Sequence, residues 1–99
     1  MNQPSARPAI EAALRNPNLM AAAIALSENR LEDAEPILRG HLREAPTDVA
    51  AIRMMAELAA RVGRLKDSEA LLRRALELTP DFGAARANLA TVLYKQNRF

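Results

Sequence analysis

The chain has 99 residues, of which 49% are hydrophobic but only 3% aromatic, and its formal net charge of +2 comes from interspersed charges of both signs. This length allows one domain with a modest core. The absence of cysteine excludes a disulfide framework and a cysteine-based zinc site. No apolar run reaches the length of a membrane span. The first residues lack the pattern of a secretory signal, so we expect a cytoplasmic protein.

The first 29 residues predict a tail and two helices. Residues 1–7 show no periodic apolar face and are predicted to form a flexible tail. A short helix is expected over residues 8–14, because a proline suits the first turn of a helix. Asn16 can cap a second helix that runs to about Glu28, and Asn29 can stop it in the left-handed conformation. This second helix is apolar nearly all round, so we expect it to be covered on more than one side.

Four more helices follow, and each shows apolar residues at helical spacing. They are predicted over residues 31–44, 48–62, 65–78 and about 81–96, separated by glycine, asparagine or proline. The side chains predicted to face inward are Leu31, Ala34, Ile37, Leu38, Leu42, Ile52, Met55, Ala56, Ala59, Val62, Leu65, Leu72, Ala75, Leu76, Ala85, Leu89, Ala90, Val92 and Leu93.

A motif recurs three times at intervals of 34 residues, which indicates stacked two-helix units. Its copies are Asn29-Arg30-Leu31, Gly63-Arg64-Leu65 and Asn97-Arg98-Phe99. Small residues recur where paired helices would cross, and a proline closes each of the first two units. These residues are Ala22, Ala34 and Pro46, then Ala56, Gly63, Ala75 and Pro80, then Ala90.

In these features the chain resembles the tetratricopeptide repeat family over roughly residues 15–99. The resemblance implies an all-α, right-handed superhelical stack of antiparallel helix pairs, an α-solenoid. The expected domain spans residues 8–99, with units at about 15–48 and 49–82, a partial unit at 83–99 and an extra N-terminal helix. His41 and Ser68 depart from the family pattern, which favours alanine there, and Asn18 and Ile52 stand where it favours an aromatic residue.

The residues that could carry chemistry are better explained by structural roles. His41 is the only histidine and is interpreted as a partly buried structural residue, since one histidine cannot build a metal site. Ser5, Ser27 and Ser68 lie outside any nucleophile motif. The paired Arg73 and Arg74 have glutamates one turn away, which favours a solvated mixed-charge face over a nucleic-acid surface. We therefore predict no catalytic, cofactor or metal site, and no nucleic-acid or membrane partner.

The resemblance implies a concave groove lined by the first helix of each pair. In the first unit this places Leu19, Ala23 and Leu26 along the groove. In the other units the predicted partner-binding residues are Arg53, Met54, Glu57, Arg61, Asn88, Thr91, Tyr94 and Lys95, with Ala87 beside them. A peptide or partner domain is the expected ligand, and an acidic or carboxylate group could pair with the cations.

Two alternatives to a free-standing binding module remain open at this point. The repeats resemble those that precede sulfotransferase-type catalytic domains in some bacterial proteins, so the chain could be the N-terminal segment of a larger enzyme. In that case its 99 residues would hold no catalytic group. The second alternative is a self-association element, a homo-oligomer formed through the apolar side of the C-terminal helix.

Overall fold

The computed structural model describes residues 6–97, and within them the regular structure is entirely helical, as predicted. The helices are α1 (Ala6–Arg15), α2 (Pro17–Ser27), α3 (Leu31–Glu44), α4 (Val49–Arg61), α5 (Leu65–Leu78) and α6 (Gly83–Lys95). Residues 1–5 of the predicted tail and residues 98–99 of the third motif copy lie outside the described part. The first helix begins at Ala6, two residues earlier than expected. None of the six helices is long and apolar enough to cross a membrane.

Local side-chain caps start two of these helices. The Asn16 side-chain oxygen accepts hydrogen bonds from the backbone N–H of Asn18 and Leu19, at 2.9 and 3.3 Å, in front of α2. Asp48 Oδ1 accepts from the backbone N–H of Ala50 and Ala51, at 3.1 and 3.3 Å, in front of α4. These bonds satisfy donors that the first turn of a helix leaves unpaired. The predicted caps at these two positions are therefore confirmed.

The turns that follow α2, α4 and α6 contain a residue with the same backbone conformation. Asn29, Gly63 and Asn97 have φ angles of +57°, +86° and +58°, the left-handed region that favours glycine and asparagine. After Asn29, the Arg30 guanidinium bonds the carboxylates of Asp33 and Glu28, which raises the pKa of Arg30 above its ordinary value. Because the same turn recurs with the 34-residue spacing, α3 and α5 fold back along α2 and α4 in the same way.

The core consists of two apolar clusters, one for each helix pair. In the first, Leu38 of α3 is fully buried against the alanines and leucines of α2 and the near face of α4. In the second, Leu72 of α5 takes the equivalent place among residues of α4 and α6. The two leucines are 34 residues apart and together with Leu19 are the largest fully buried apolar side chains.

Small residues let the paired helices approach closely. Ala56 of α4 is completely buried, and its backbone carbonyl accepts a hydrogen bond from Ser68 Oγ of α5 at 2.7 Å. The short serine side chain reaches the facing backbone because the two helices approach closely at these small residues. Ser68 therefore serves in place of the alanine that the family pattern favours, and its hydroxyl group is satisfied without water.

Several side chains lie differently from the prediction. Val62 and Ala90 were expected to face inward, but Val62 is 50% exposed and Ala90 is exposed. The helix α2 was expected to be covered on more than one side, yet Met20 and Ile24 are exposed. The reason is the same in each case: the hydrophobic pattern marks an apolar side chain, but no neighbouring helix covers it at that position.

The helix α1 packs against α2 and α4 and begins beside Phe82, just before α6. Ala6 is buried in the second core cluster with Val49 and Phe82, and its backbone N–H donates to Asp81 Oδ1 at 3.0 Å. The opposite end of α1 leads through Asn16 into α2. It therefore runs from the start of α6 to the start of α2. The side chains of Ala9, Ala13 and Leu14 lie outside the described part of the structure.

Candidate functional site

The first helices of the three units, α2, α4 and α6, lie side by side and form one face of the molecule, since α4 contacts both α2 and α6. Two cavities open on this face. We call them the polar cavity and the apolar cavity.

The polar cavity lies mainly between α4 and α6 and has a volume of about 270 Å³. Five of the predicted groove residues line it: Glu57, Arg61, Asn88, Thr91 and Lys95. They come from turns of two helices that are adjacent in space but more than 25 residues apart in sequence. The structure thus brings most of the predicted site residues together around one concavity.

The apolar cavity lies among α1, α2, α4 and the start of α6, with a volume of about 200 Å³. The predicted groove residues Arg53 and Met54 line it, as do Leu19 and Ala23 of the first unit. Leu26, also expected in the groove, is buried in the core instead and lines neither cavity.

A hydrogen bond crosses the boundary between the two cavities. Arg53 Nε donates to the side-chain oxygen of Asn88 at 2.8 Å, which links α4 to α6. Arg53 lines the apolar cavity and Asn88 lines the polar one, so the two cavities adjoin. This bond does not balance the positive charge of the Arg53 guanidinium group, because the Asn88 side chain is a neutral amide.

Arg61 was predicted to bind a partner, and it also links two helices of the fold. One of its terminal nitrogens donates to the backbone carbonyl of Leu26 at the end of α2, and the other pairs with Glu57 Oε2 at 2.5 Å. The Leu26 carbonyl also accepts from the backbone N–H of Asn29 at 3.0 Å, and a carbonyl oxygen has a second lone pair available for Arg61. Arg61 therefore joins α4 to α2, and its charge is balanced by Glu57.

Lys95 and Tyr94 are neighbours on α6, but only Lys95 lines one of the two cavities. Lys95 lines the polar cavity, and within residues 6–97 no ion pair involves it. Tyr94 is 69% exposed and lines neither of the two cavities. Among the residues that line the two cavities, three are cations (Arg53, Arg61 and Lys95) and one is a carboxylate (Glu57), so the lining carries a net positive charge.

His41 is held by a carboxylate on the neighbouring helix pair. Its Nε2 lies 2.7 Å from Asp48 Oδ2, and only 12% of its side chain is exposed. The same carboxylate caps α4 through its other oxygen. The contact between His41 and Asp48 joins the end of α3 to the start of α4. This contact and the partial burial of the ring agree with the structural role expected for His41. Within residues 6–97, no group of three or more His, Asp or Glu side chains is placed to hold a metal ion.

Two of the serines considered as nucleophiles bond to the backbone. Ser27 Oγ donates to the Ile24 carbonyl and Ser68 Oγ to the Ala56 carbonyl, both at 2.7 Å. The local backbone bond expected for a serine inside a helix is confirmed for Ser27, whereas the Ser68 hydroxyl group bonds to the facing helix α4 instead. Ser5 lies outside the described residues.

Sequence reasoning missed one wall of the apolar cavity. Ile10 of α1, Met20 of α2 and Phe82, just before α6, all line it. Met20 and Ile10 are among the exposed large apolar side chains of the described structure. The apolar character of Ile10 was visible in the sequence, but its place against α4 and Phe82 depends on a packing between residues more than 70 positions apart.

A family model for the tetratricopeptide repeat matches residues 25–81, which is more than half of the chain. The chain therefore belongs to the tetratricopeptide repeat family. Neither a curated protein nor a solved structure showed significant similarity to it. The matched region begins in α2 and ends after α5, so it contains both complete turns and both buried leucines of the core. Tetratricopeptide repeats generally mediate protein–protein interaction, and domains built from them are typically non-catalytic.

Proposed function

We propose that this chain binds a peptide segment of a partner protein, without catalysis, on the face formed by α2, α4 and α6. The observation that carries the proposal is the clustering of side chains on this face. Of the eight residues singled out from the sequence, seven line the two adjoining cavities, and Tyr94 is the exception.

The two cavities favour a ligand with two kinds of side chain. An apolar side chain fits the apolar cavity, where Met54 can adapt its flexible thioether to different shapes. An acidic side chain or a terminal carboxylate fits beside Arg53 and Lys95, since hydrogen bonds between ionised groups are stronger than neutral ones. In an extended peptide, residues i and i+2 lie on the same side about 7 Å apart, which suits adjoining cavities.

The test selects peptides from a random library on the unaltered protein. It then compares how tightly the unaltered protein and a charge-reversed variant bind those peptides. Arg53→Glu with Lys95→Glu reverses two cations of the face and leaves Arg61 bonded to Glu57 and to the Leu26 carbonyl. We expect the unaltered protein to select peptides with an apolar residue next to an acidic one. The variant should bind those peptides about tenfold more weakly or worse, as measured by calorimetry.

The matched control is Lys66→Glu with Arg74→Glu on α5. It makes the same change in net charge at two exposed positions outside both cavities. This control should retain the selected peptides, and both variants should keep the circular dichroism spectrum of the parent. Equal loss of binding in the two variants would mean that only the overall charge matters, and the proposed site would be wrong.

A further inference from the structure

The helix α1 departs from the stacking of the other helices. Four residues separate α3 from α4 and α5 from α6, whereas Asn16 alone separates α1 from α2. Within residues 6–97, α3 and α5 contact only the helices before and after them in the chain, but α1 contacts both α2 and α4. In the same part of the chain α1 packs along neither α3 nor α5. It therefore lies across the face formed by α2, α4 and α6.

The position of α1 divides the space on this face. The apolar cavity is bordered by Ile10 of α1, and a third cavity of about 450 Å³ is lined by α1 and the start of α6. Ile10, Phe82 and Ala84 line both cavities, so the two adjoin along α1. Without α1 they would be one continuous trough with Phe82 in its floor.

The described contacts that hold α1 lie at its start. Among the α1 side chains that the structure describes, only Ala6 is buried, in the same apolar cluster as Val49 and Phe82. Its backbone N–H donates to Asp81 Oδ1 at 3.0 Å. One turn later, Ile10 is 39% exposed. Since α1 has ten residues and an isolated helix of fewer than about 12–15 residues is marginal in water, α1 is helical only while it is docked.

We propose that α1 is a displaceable cover on this face, and that a partner segment must take its place to bind fully. The proposal rests on the peptide-binding function proposed above. An apolar side chain of the partner and Ile10 of α1 compete for the same surface of α4 and Phe82. Because the site is open only in those molecules from which α1 is released, the apparent affinity is lowered by that fraction.

The first variant releases α1 in the whole 99-residue chain. Ala6→Glu forces a carboxylate into an apolar cluster beside the carboxylate of Asp81, which is unfavourable while α1 is docked. The matched control is Ala12→Glu, the same substitution at an exposed position of the same helix. Hydrogen exchange followed by mass spectrometry should show α1 unprotected in Ala6→Glu and as protected as in the parent in Ala12→Glu.

The binding test uses peptides selected from a random library, on the parent and separately on Ala6→Glu. By calorimetry Ala6→Glu should bind them about tenfold more tightly than the parent or better, whereas Ala12→Glu should match the parent. Saturation of the parent with such a peptide should also speed the exchange of the α1 amides, because the bound peptide keeps α1 away from the face.

A second pair of variants avoids a buried charge. Asp81→Ala removes the acceptor of the Ala6 N–H, whereas Asp81→Asn makes the same change in net charge and keeps a side-chain oxygen. Asp81→Ala should tighten peptide binding by about two- to tenfold, the effect of one lost hydrogen bond on the docking of α1. Asp81→Asn should bind as the parent does. This pair also decides the question if Ala6→Glu unfolds more of the chain than α1.

Three results would overturn the proposal. Equal or weaker peptide binding by Ala6→Glu, with α1 unprotected, would mean that α1 is a wall of the site or has no part in it. Full protection of α1 in the peptide complex of the parent would mean that the peptide binds beside α1. If neither protein selects any peptide, the proposed function fails as well, whereas equal binding by both proteins removes only the role of α1.

Discussion

At the scale of single residues, the Leu72 side chain is only 1% exposed within the second core cluster, so its truncation removes buried apolar surface. Leu72→Ala should lower the free energy of unfolding by about 2–5 kcal/mol, from lost apolar burial and from the cavity that remains. Urea denaturation followed by circular dichroism measures the change.

The control for Leu72→Ala is Ile24→Ala. Ile24 is an aliphatic residue of similar size, but it is 49% exposed on α2. Its replacement should cost less than about 1 kcal/mol, because little buried surface is lost and alanine favours helices. Similar losses in the two variants would mean that the inward face of α5 has been placed wrongly.

At the scale of the helix pair, the turn between α4 and α5 depends on Gly63. An added Cβ would meet no atom within 4 Å, so the only cost of Gly63→Ala is the backbone conformation at φ +86°. We expect a loss of about 1–2 kcal/mol in unfolding free energy, the penalty of a side chain in the left-handed region.

The matched change is Gly83→Ala in the first turn of α6. This glycine also has open space around its Cβ position, but its φ angle is not in the left-handed region. Here alanine should raise the unfolding free energy by about 0.4–1 kcal/mol, because it restricts the unfolded chain. Changes of the same sign at the two glycines would contradict the assignment of the cost at Gly63 to its φ angle.

At the scale of the whole molecule, stability should fall from the centre of the stack towards its ends. The helix α4 contacts all five other helices, whereas α6 contacts only two. In stacked repeats each unit is stabilised mainly by its immediate neighbours. The N-terminal end shows this directly: Ile24 is 49% exposed, while its counterparts Leu58 and Val92 are 5% and 3% exposed behind a preceding helix pair.

Native-state hydrogen exchange tests this gradient. We expect the amides in the middle of α4 and α5 to exchange slowest, and those of α1 and α6 to exchange faster through local opening. Leu72→Ala should bring the amides of α4 and α5 closer to the rates of the ends. Exchange of α1 and α6 at the same rate as α4 in the parent protein would mean that the whole chain opens as one unit.

Local signals explain why much of the fold could be predicted. The bounds of α3 and α5 agree with the prediction to the residue, because a left-handed turn precedes each helix and a proline follows it within two residues. The caps at Asn16 and Asp48 likewise depend on atoms two or three residues away. The seven groove residues that line the cavities were named from the family resemblance, which assigns the groove to the first helix of each pair, and the 34-residue period places them on the same face of α4 and α6.

The errors concern contacts between residues distant in sequence. The burial of Ala90 was overestimated because its periodicity matches that of Ala56, although no helix covers it. The second role of Arg61 depends on a carbonyl 35 positions earlier in the chain. The contact of Ala6 with Asp81 spans 75 positions, and no local pattern marks it.

The sequence by itself determined the helices, their turns and the repeating unit of this tetratricopeptide repeat protein, because caps, left-handed residues and apolar spacing act over one or two turns of the backbone. Only the tertiary structure decided which apolar side chains are covered, where α1 lies and how Arg53 and Asn88 join two cavities into one face. Burial depends on the neighbour that a helix meets in space, and an identical alanine can therefore be core in α4 and surface in α6.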